Sequence, residues 1–226
     1  MELDAFAATH NLTFKDQGLL AEALTHRSYL NENPGGNHNE RLEFLGDAVL
    51  ELAVTNFLYG KYPAKPEGEL TAYRAALVNT VSLARVASEL GINEALRLSK
   101  GERKDTGRAR ENILADALEA LIGALYLDQG YEAAERFIAA HLYGKIDEVV
   151  AKKAYQDAKS RFQEAAQERL SITPHYQTLA EEGPDHARVF TIAAYIGEHE
   201  VAQGTGASKQ DAEQAAAQNA LDTKGW

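Results

Sequence analysis

Apolar residues recur at helical spacing through most of this chain. Leu3, Phe6 and Ala7 form one such run, and Leu19, Leu20, Ala23 and Leu24 form the next beyond a break near Asn11. Residues 31–39 hold Pro34-Gly35-Gly36 and four Asn, which spells a loop. Asn39 suits the N-cap of a long helix running to about Tyr59. Pro63 and Pro66 bracket a second loop. Glu67 then opens another helix, where a carboxylate suits the N-terminal dipole. Residues 79–90 read as a helix stopped by Gly91, 113–125 as another, and 131–149 as the last of the series. Beyond this the period changes. Residues 160–170 are helical, while 175–179, 189–196 and 200–203 read as strands, the second of them two-sided. An Ala-rich helix over 208–221 follows. The pattern predicts a multidomain, mainly α protein: an all-α domain over 1–151, a linker at 152–157, and a small α-β-β-β-α domain over 158–226.

Two of these helices carry acids on one face. At about 100° per residue, Glu40, Glu43 and Asp47 fall within about 60° of one another, and Leu42, Leu45, Val49 and Leu52 form a core stripe opposite. Asp116 and Glu119 repeat the arrangement at i, i+3, with Leu114, Leu118, Leu121 and Leu125 opposite and Gly123 one turn on. A single acidic row suits a solvated helix face. Two features argue for more. Phe44 sits beside the acids, where an aromatic is out of place unless a partner covers it, and the second row matches the first. Packed side by side, the two helices form an oxygen-only cage. Hard oxygen ligands without Cys or ligand-spaced His favour Mg²⁺ or Mn²⁺ over zinc.

Composition changes this picture in one respect. The chain carries a net charge of −11, spread as −8 over residues 1–151 and −3 over 152–226. That balance opposes a broad phosphate-binding surface, so any nucleic-acid contact must use local basic patches. One lies at 100–110, with five basic and two acidic residues in eleven, directly before the second acidic helix. A basic loop beside an acidic cage suits an incoming phosphate backbone; a solvated loop is the plainer alternative. There is no Cys, hence no disulfide. No secretion signal opens the sequence and no run reaches the ~18 apolar residues of a membrane span. A soluble, cytoplasmic protein is expected.

The segment from Asn39 to Leu50 resembles the signature motif of the bacterial ribonuclease III family, and Ile113 to Gly123 resembles that family's second acidic motif. Leu24-Thr25-His26-Arg27-Ser28 and Glu67-Gly68-Glu69-Leu70 are similar to further family segments. The resemblance implies an endoribonuclease for double-stranded RNA that works as a homodimer and leaves 5′-phosphate and 3′-hydroxyl ends. It implies metal ligation by Glu43, Asp116 and Glu119, and a role for Asp47, with Glu119, in catalysis beside the attacking water. Glu40 and Glu67 stand outside that set or around a second metal ion. Phe44 inserts into an apolar recess of the second subunit. Ribosomal and messenger RNA processing is the cellular role the resemblance implies. His26 fits a structural histidine near a helix end better than a catalytic base.

The terminal segment resembles the double-stranded RNA-binding domain, in its element order and in Gly204-Thr205-Gly206-Ala207-Ser208-Lys209 and Ala212-Glu213-Gln214-Ala215-Ala216. Such domains read A-form shape across two minor grooves and the phosphates between them. The resemblance assigns RNA contact to Ser160, Gln163 and Glu164, to Pro184 and His186, and to Lys209. It departs from the pattern at Gln210-Asp211, where a second basic residue is usual. Two other readings compete with a nuclease. A non-cleaving double-stranded-RNA-binding regulator needs only the tail and a dimer platform, but gains nothing from acids facing phosphates. A metal phosphohydrolase for small substrates has no use for the tail.

Overall fold

A computed structural model describes residues 3–104, 108–151, 157–184 and 188–226. The chain forms two compact units, Met1–Tyr155 and Gln156–Trp226. Of the expected linker, 152–156 lie outside the described residues; Asp157 caps the first helix of the second unit, accepting from the Ser160 N–H at 2.8 Å.

The first unit is all α. Its helices are α1 (Leu3–Thr9), α2 (Gln17–Ala23), α3 (Arg27–Glu32), α4 (Glu40–Lys61), α5 (Glu67–Val78), α6 (Thr80–Glu89), α7 (Ile92–Ala95), α8 (Arg108–Gln129), α9 (Tyr131–His141) and α10 (Ile146–Ala151). The breaks fall where backbone chemistry demands them. Asn11 takes a left-handed φ of +53°, and Gly91 takes +68° beyond the end of α6. The single helix expected over 131–149 is broken by a 3₁₀ turn at Tyr143–Lys145. Tyr143 explains the break: its ring stacks on Phe57 at 3.9 Å and its hydroxyl donates to the Ala53 carbonyl at 3.0 Å. Folding Tyr143 onto α4 in this way turns the chain.

Helix α8 is the axis of this unit. Ile113, Leu114, Ala115, Ala117, Leu118, Ala120, Leu121, Ile122, Ala124 and Leu125 are all buried, so it is apolar almost all round, as a central helix must be. The expected four-leucine stripe is only part of that surface. On α4 the buried stripe is rotated from the expected one. It runs through Leu42, Gly46, Val49, Leu50, Ala53, Val54 and Leu58, while Leu52 is 58% exposed.

Gly46 accounts for the rotation. A Cβ built there would lie 1.8 Å from the Glu119 carbonyl oxygen, and one on Gly123 would lie 2.2 Å from the Leu42 carbonyl oxygen. The two helices therefore cross backbone to backbone at a pair of glycines. Gly123 does not open space beside the acids; it lets the helices touch.

The second unit orders as α11 (Ala158–Leu170), β1 (His175–Glu182), β2 (Val189–Ile196), β3 (His199–Gly206) and α12 (Lys209–Lys224). The strands form one antiparallel sheet, β1-β2-β3, with bulges near Leu179 and at Ala194/Tyr195. β1 and β3 extend beyond the expected spans, because their ends are held by ladder bonds to β2 rather than by their own alternation. Phe162, Ala166, Ala194, Ile196, Ala216, Ala217, Ala220 and Leu221 make the core between sheet and helices. Ser208 caps α12, accepting from the Asp211 N–H at 3.1 Å and donating to its carboxylate at 2.8 Å. This reciprocal cap gives Asp211 a structural use at the position where a basic residue was expected.

Candidate active site

The crossing of α4 and α8 brings Glu43, Asp116 and Glu119 together. One carboxylate oxygen from each lies within 4.8 Å of the others. None of the three makes an ion pair with a cation among the described residues. Burial raises the Glu119 carboxyl to about 8, with Asp47, Asp116 and Glu43 adding repulsion in that order. Glu43 is raised by burial and then by Asp116, Glu40 and Asp47. Asp116 is raised by burial, partly offset by a backbone hydrogen bond, with Glu40 pushing it further up. Three half-buried acids in mutual repulsion, with oxygen donors only, fit a hard divalent cation.

Asp47 is solvent-exposed one turn beyond Glu43 and stands outside the trio. It nonetheless exerts the largest charge effect on Glu119. Glu40 is also exposed. Its carboxylate meets Arg27 Nη1 at 3.3 Å and His38 Nδ1 at 3.8 Å. Glu40, Glu43 and Asp116 share a cavity of about 720 Å³ with His26, Arg27 and Asn39, and with Glu102 of the basic segment. Residues 105–107 of that segment lie outside the described residues, and Arg103 and Arg110 line a separate cavity.

Two cavity-lining residues are positioned by the chain just before α4. His26 caps α3, its Nδ1 accepting from the Ser28 N–H at 3.3 Å, and burial lowers its pKa. Asn39 stands at the head of α4 as expected, but its side chain makes no capping bond. It is instead 2% exposed, with its backbone N–H donating to the Thr25 carbonyl at 3.0 Å and its carbonyl accepting from the Glu43 N–H at 2.9 Å. The backbone of Asn39 thus ties α4 to the strand-like bridge between Thr25 and Arg97.

Glu67 is not part of this cluster within the chain. It lies exposed at the start of α5, where its carboxylate accepts from Thr71 Oγ1 at 3.1 Å. It lines a recess of about 390 Å³ with Leu58, Tyr59, Leu70 and Arg74, at the far end of α4. At 1.5 Å per residue, Leu58 is about 20 Å along the helix from Glu43. Phe44 is 82% exposed, and Leu52 and Tyr59 are exposed on the same helix.

In the second unit Ser160, Gln163 and Glu164 line one shallow groove along α11, with Gln167 and Glu168. Pro184 is exposed beyond β1; His186 lies outside the described residues. Lys209 begins α12, and its Nζ is 2.6 Å from Glu181 Oε1. Sequence reasoning missed Glu181 and Gly46. A glycine in the buried stripe of a long helix was the available signal for Gly46, since it costs helix propensity without packing volume.

An acid-lined helical core followed by this small α/β unit defines a nuclease equipped for duplex RNA. Residues 16–146 match the family model described as Ribonuclease-III-like, and residues 158–223 match the double-stranded RNA binding motif. A Ribonuclease 3 from Protochlamydia amoebophila is 45% identical over 96% of this chain and 90% of its own length. One from Bdellovibrio bacteriovorus is 46% identical over 93% and 91%. Among solved structures, the nuclease domain of ribonuclease III from Campylobacter jejuni is 40% identical, with a TM-score of 0.56 over 64% of this chain and 93% of that domain. A second structure of that domain, with a TM-score of 0.55 and 41% identity over 62% and 97%, concerns a flexible region involved in its dimer formation. The chain belongs to the ribonuclease III family and is an endoribonuclease acting on double-stranded RNA. No helix among the described residues is long and apolar enough to cross a membrane.

Proposed function

We propose that Glu43, Asp116 and Glu119 hold Mg²⁺, which Mn²⁺ can replace, and that this chain hydrolyses RNA duplexes to 5′-phosphate and 3′-hydroxyl ends. The convergence of three half-buried carboxylates within 4.8 Å, with no cationic partner among the described residues, carries this reading. When bound, the cation supplies Lewis-acid polarisation of the scissile phosphate and compensates charge on the departing oxygen. Asp47, exposed beside Glu119, orients the attacking water or takes its proton. The water oxygen joins phosphorus as its proton passes to Asp47 or solvent, the bond to the 3′-oxygen breaks, and that oxygen takes a proton from solvent to become the 3′-hydroxyl. Glu40 acts at the edge of this set, where Arg27 holds it.

The active form is a homodimer in this reading. Phe44, 82% exposed, is the side chain to be seated, and the recess by Leu58 and Leu70 is a seat of suitable chemistry on a second copy. Phe44 adjoins Glu43 in sequence and Glu67 lines the recess, so the seating carries Glu67 toward the acids of the second copy. That answers its distance from them within one chain. Ser160, Gln163, Glu164, Pro184, His186 and Lys209 contact the duplex. Ribosomal and messenger RNA processing in the cytoplasm is the corresponding cellular role.

Incubation of a long RNA duplex with the protein and Mg²⁺, with and without chelator, tests the chemistry. Short duplexes with 5′-phosphates and 3′-hydroxyls are expected, and none with chelator present. Cleavage that survives the chelator would remove the metal from the mechanism.

A further inference from the structure

The tail unit holds one of its acids between two basic side chains. Lys209 opens α12 directly after the Ser208 cap, with its ammonium 5.6 Å from the centroid of the Phe190 ring. Phe190 on β2 is the register partner of Glu181 on β1, so both side chains project from the same face of the sheet. Glu181 uses that position. Its Oε1 lies 2.6 Å from Lys209 Nζ, and its Oε2 lies 3.9 Å from Arg188 Nη1. The carboxylate thus sits between two cations of a unit whose net charge is already −3 over residues 152–226.

We propose that Glu181 is an affinity-determining residue: it clasps Lys209 in the free protein, and duplex RNA must displace or share that ion pair to bind. The inference rests on the reading that Lys209 meets a phosphate. A phosphate competes with a carboxylate already in place for the same ammonium, and it also feels that carboxylate's repulsion. Both effects lower affinity without altering shape recognition. The clasp selects for an extended polyanion, because a single phosphate offers no further contacts to offset the lost ion pair. The salt dependence should carry the same signature. A neutralised Lys209 contributes little to counterion release, whereas a freed one contributes about one phosphate's worth.

The test uses the full chain with chelator present, so that the duplex stays uncut, and a blunt RNA duplex longer than the roughly 16 base pairs such a domain spans. Glu181→Gln is expected to tighten binding by about 2–5-fold, the scale of an exposed ion pair. It should also steepen the slope of log affinity against log salt by about one. Glu182→Gln removes the same charge one residue along, on the opposite face of the strand, and should gain less. In a Lys209→Gln background, more than half of the Glu181→Gln gain should vanish. A gain that persists undiminished there, or is matched by Glu182→Gln, would show a general charge effect and overturn the clasp. So would Glu181→Gln binding equal to or weaker than the parent, where Lys209→Gln still weakens it. If Lys209→Gln leaves binding unchanged, Lys209 does not touch RNA, and the clasp falls with that reading.

Discussion

The two units handle acidic residues in opposite ways. In the helical unit Glu43, Asp116 and Glu119 are half-buried, close together and without cationic partners among the described residues. In the tail two acids are held by cations: Glu181 by Lys209, and Glu213 by Lys159 near the head of α11. Matched charges near water contribute little either way. Unmatched charges in a half-buried cleft are costly, and the fold tolerates them because α8 is secured on all its other faces. The lesson concerns where instability resides. The helical unit concentrates it at the candidate site, where a bound cation would relieve it. The ion-paired acids of the tail store little, so changes there should act on RNA binding in a graded, salt-sensitive way.

Neutralising an acid of the trio, or Asp47 beside it, is the most severe way to probe this contrast. Glu119→Gln and Asp47→Asn should each lower the single-turnover cleavage rate by about 10²–10⁴-fold. Duplex binding in gel shifts should stay within about twofold of the parent, because the tail is untouched. Added Mg²⁺ should partly rescue Glu119→Gln but rescue Asp47→Asn less, whose fault lies after metal binding. Near-parental cleavage by either variant would mean that the site lies on another face.

Phe44→Ala probes the same unit away from the acids. Burial of this side chain in the proposed partner recess would contribute roughly 1.5–3 kcal/mol, so dimer association should weaken by at least about tenfold in sedimentation at micromolar protein. An unchanged dimer would take Phe44 out of the interface core.

The smallest effect concerns pH and stability in the absence of metal. Glu119 holds its proton more tightly folded than unfolded, with a carboxyl near 8 in the fold. Its contribution is therefore greatest below its ordinary carboxylate range and is lost as pH rises toward about 8. Glu43 and Asp116 act in the same direction. His26 and His141, whose pKa values burial lowers, oppose this at the acidic end of the window, and Asp128 and Asp157 oppose it only below, as pH falls through the carboxylate range. Metal-free protein should thus melt a few degrees lower at pH 8 than at about pH 5.5, with saturating Mg²⁺ narrowing the gap and Glu119→Gln shrinking it. A metal-free profile flat across that window contradicts the strain assigned to the site.

Much of this was legible in the sequence, and the reasons differ by residue. The i, i+3 spacing of Asp116 and Glu119 fixes their shared face in any helix, so their pairing needed no tertiary knowledge. The meeting of that face with Glu43 did need it. The stripe of Leu42, Leu45, Val49 and Leu52 expected on α4 ignores Gly46, because a residue without a side chain carries no weight in a hydrophobic pattern, yet the crossing runs through it. Tyr143 ended a helix by reaching Phe57, some ninety residues away, which no local period reveals. Glu67 was grouped with the acids, but within one chain it belongs to a different recess. Gln210-Asp211 stands where a second basic residue is usual; only the Ser208 cap shows what Asp211 does instead.

The glycine crossing has a consequence for the choice of ion. Nothing adjustable stands between the two acid-bearing backbones there, so Gly46 and Gly123 act as the gauge block that fixes the bore of the carboxylate cage. Mg²⁺ requires oxygens at about 2.0–2.1 Å, whereas Ca²⁺ accepts about 2.3–2.6 Å. A methyl group inserted at either glycine would widen that bore before it altered any acid, shifting the preference toward the larger ion. In the proposed cage, the tolerance for one cation over another would thus be set by two residues that have no side chain to offer it.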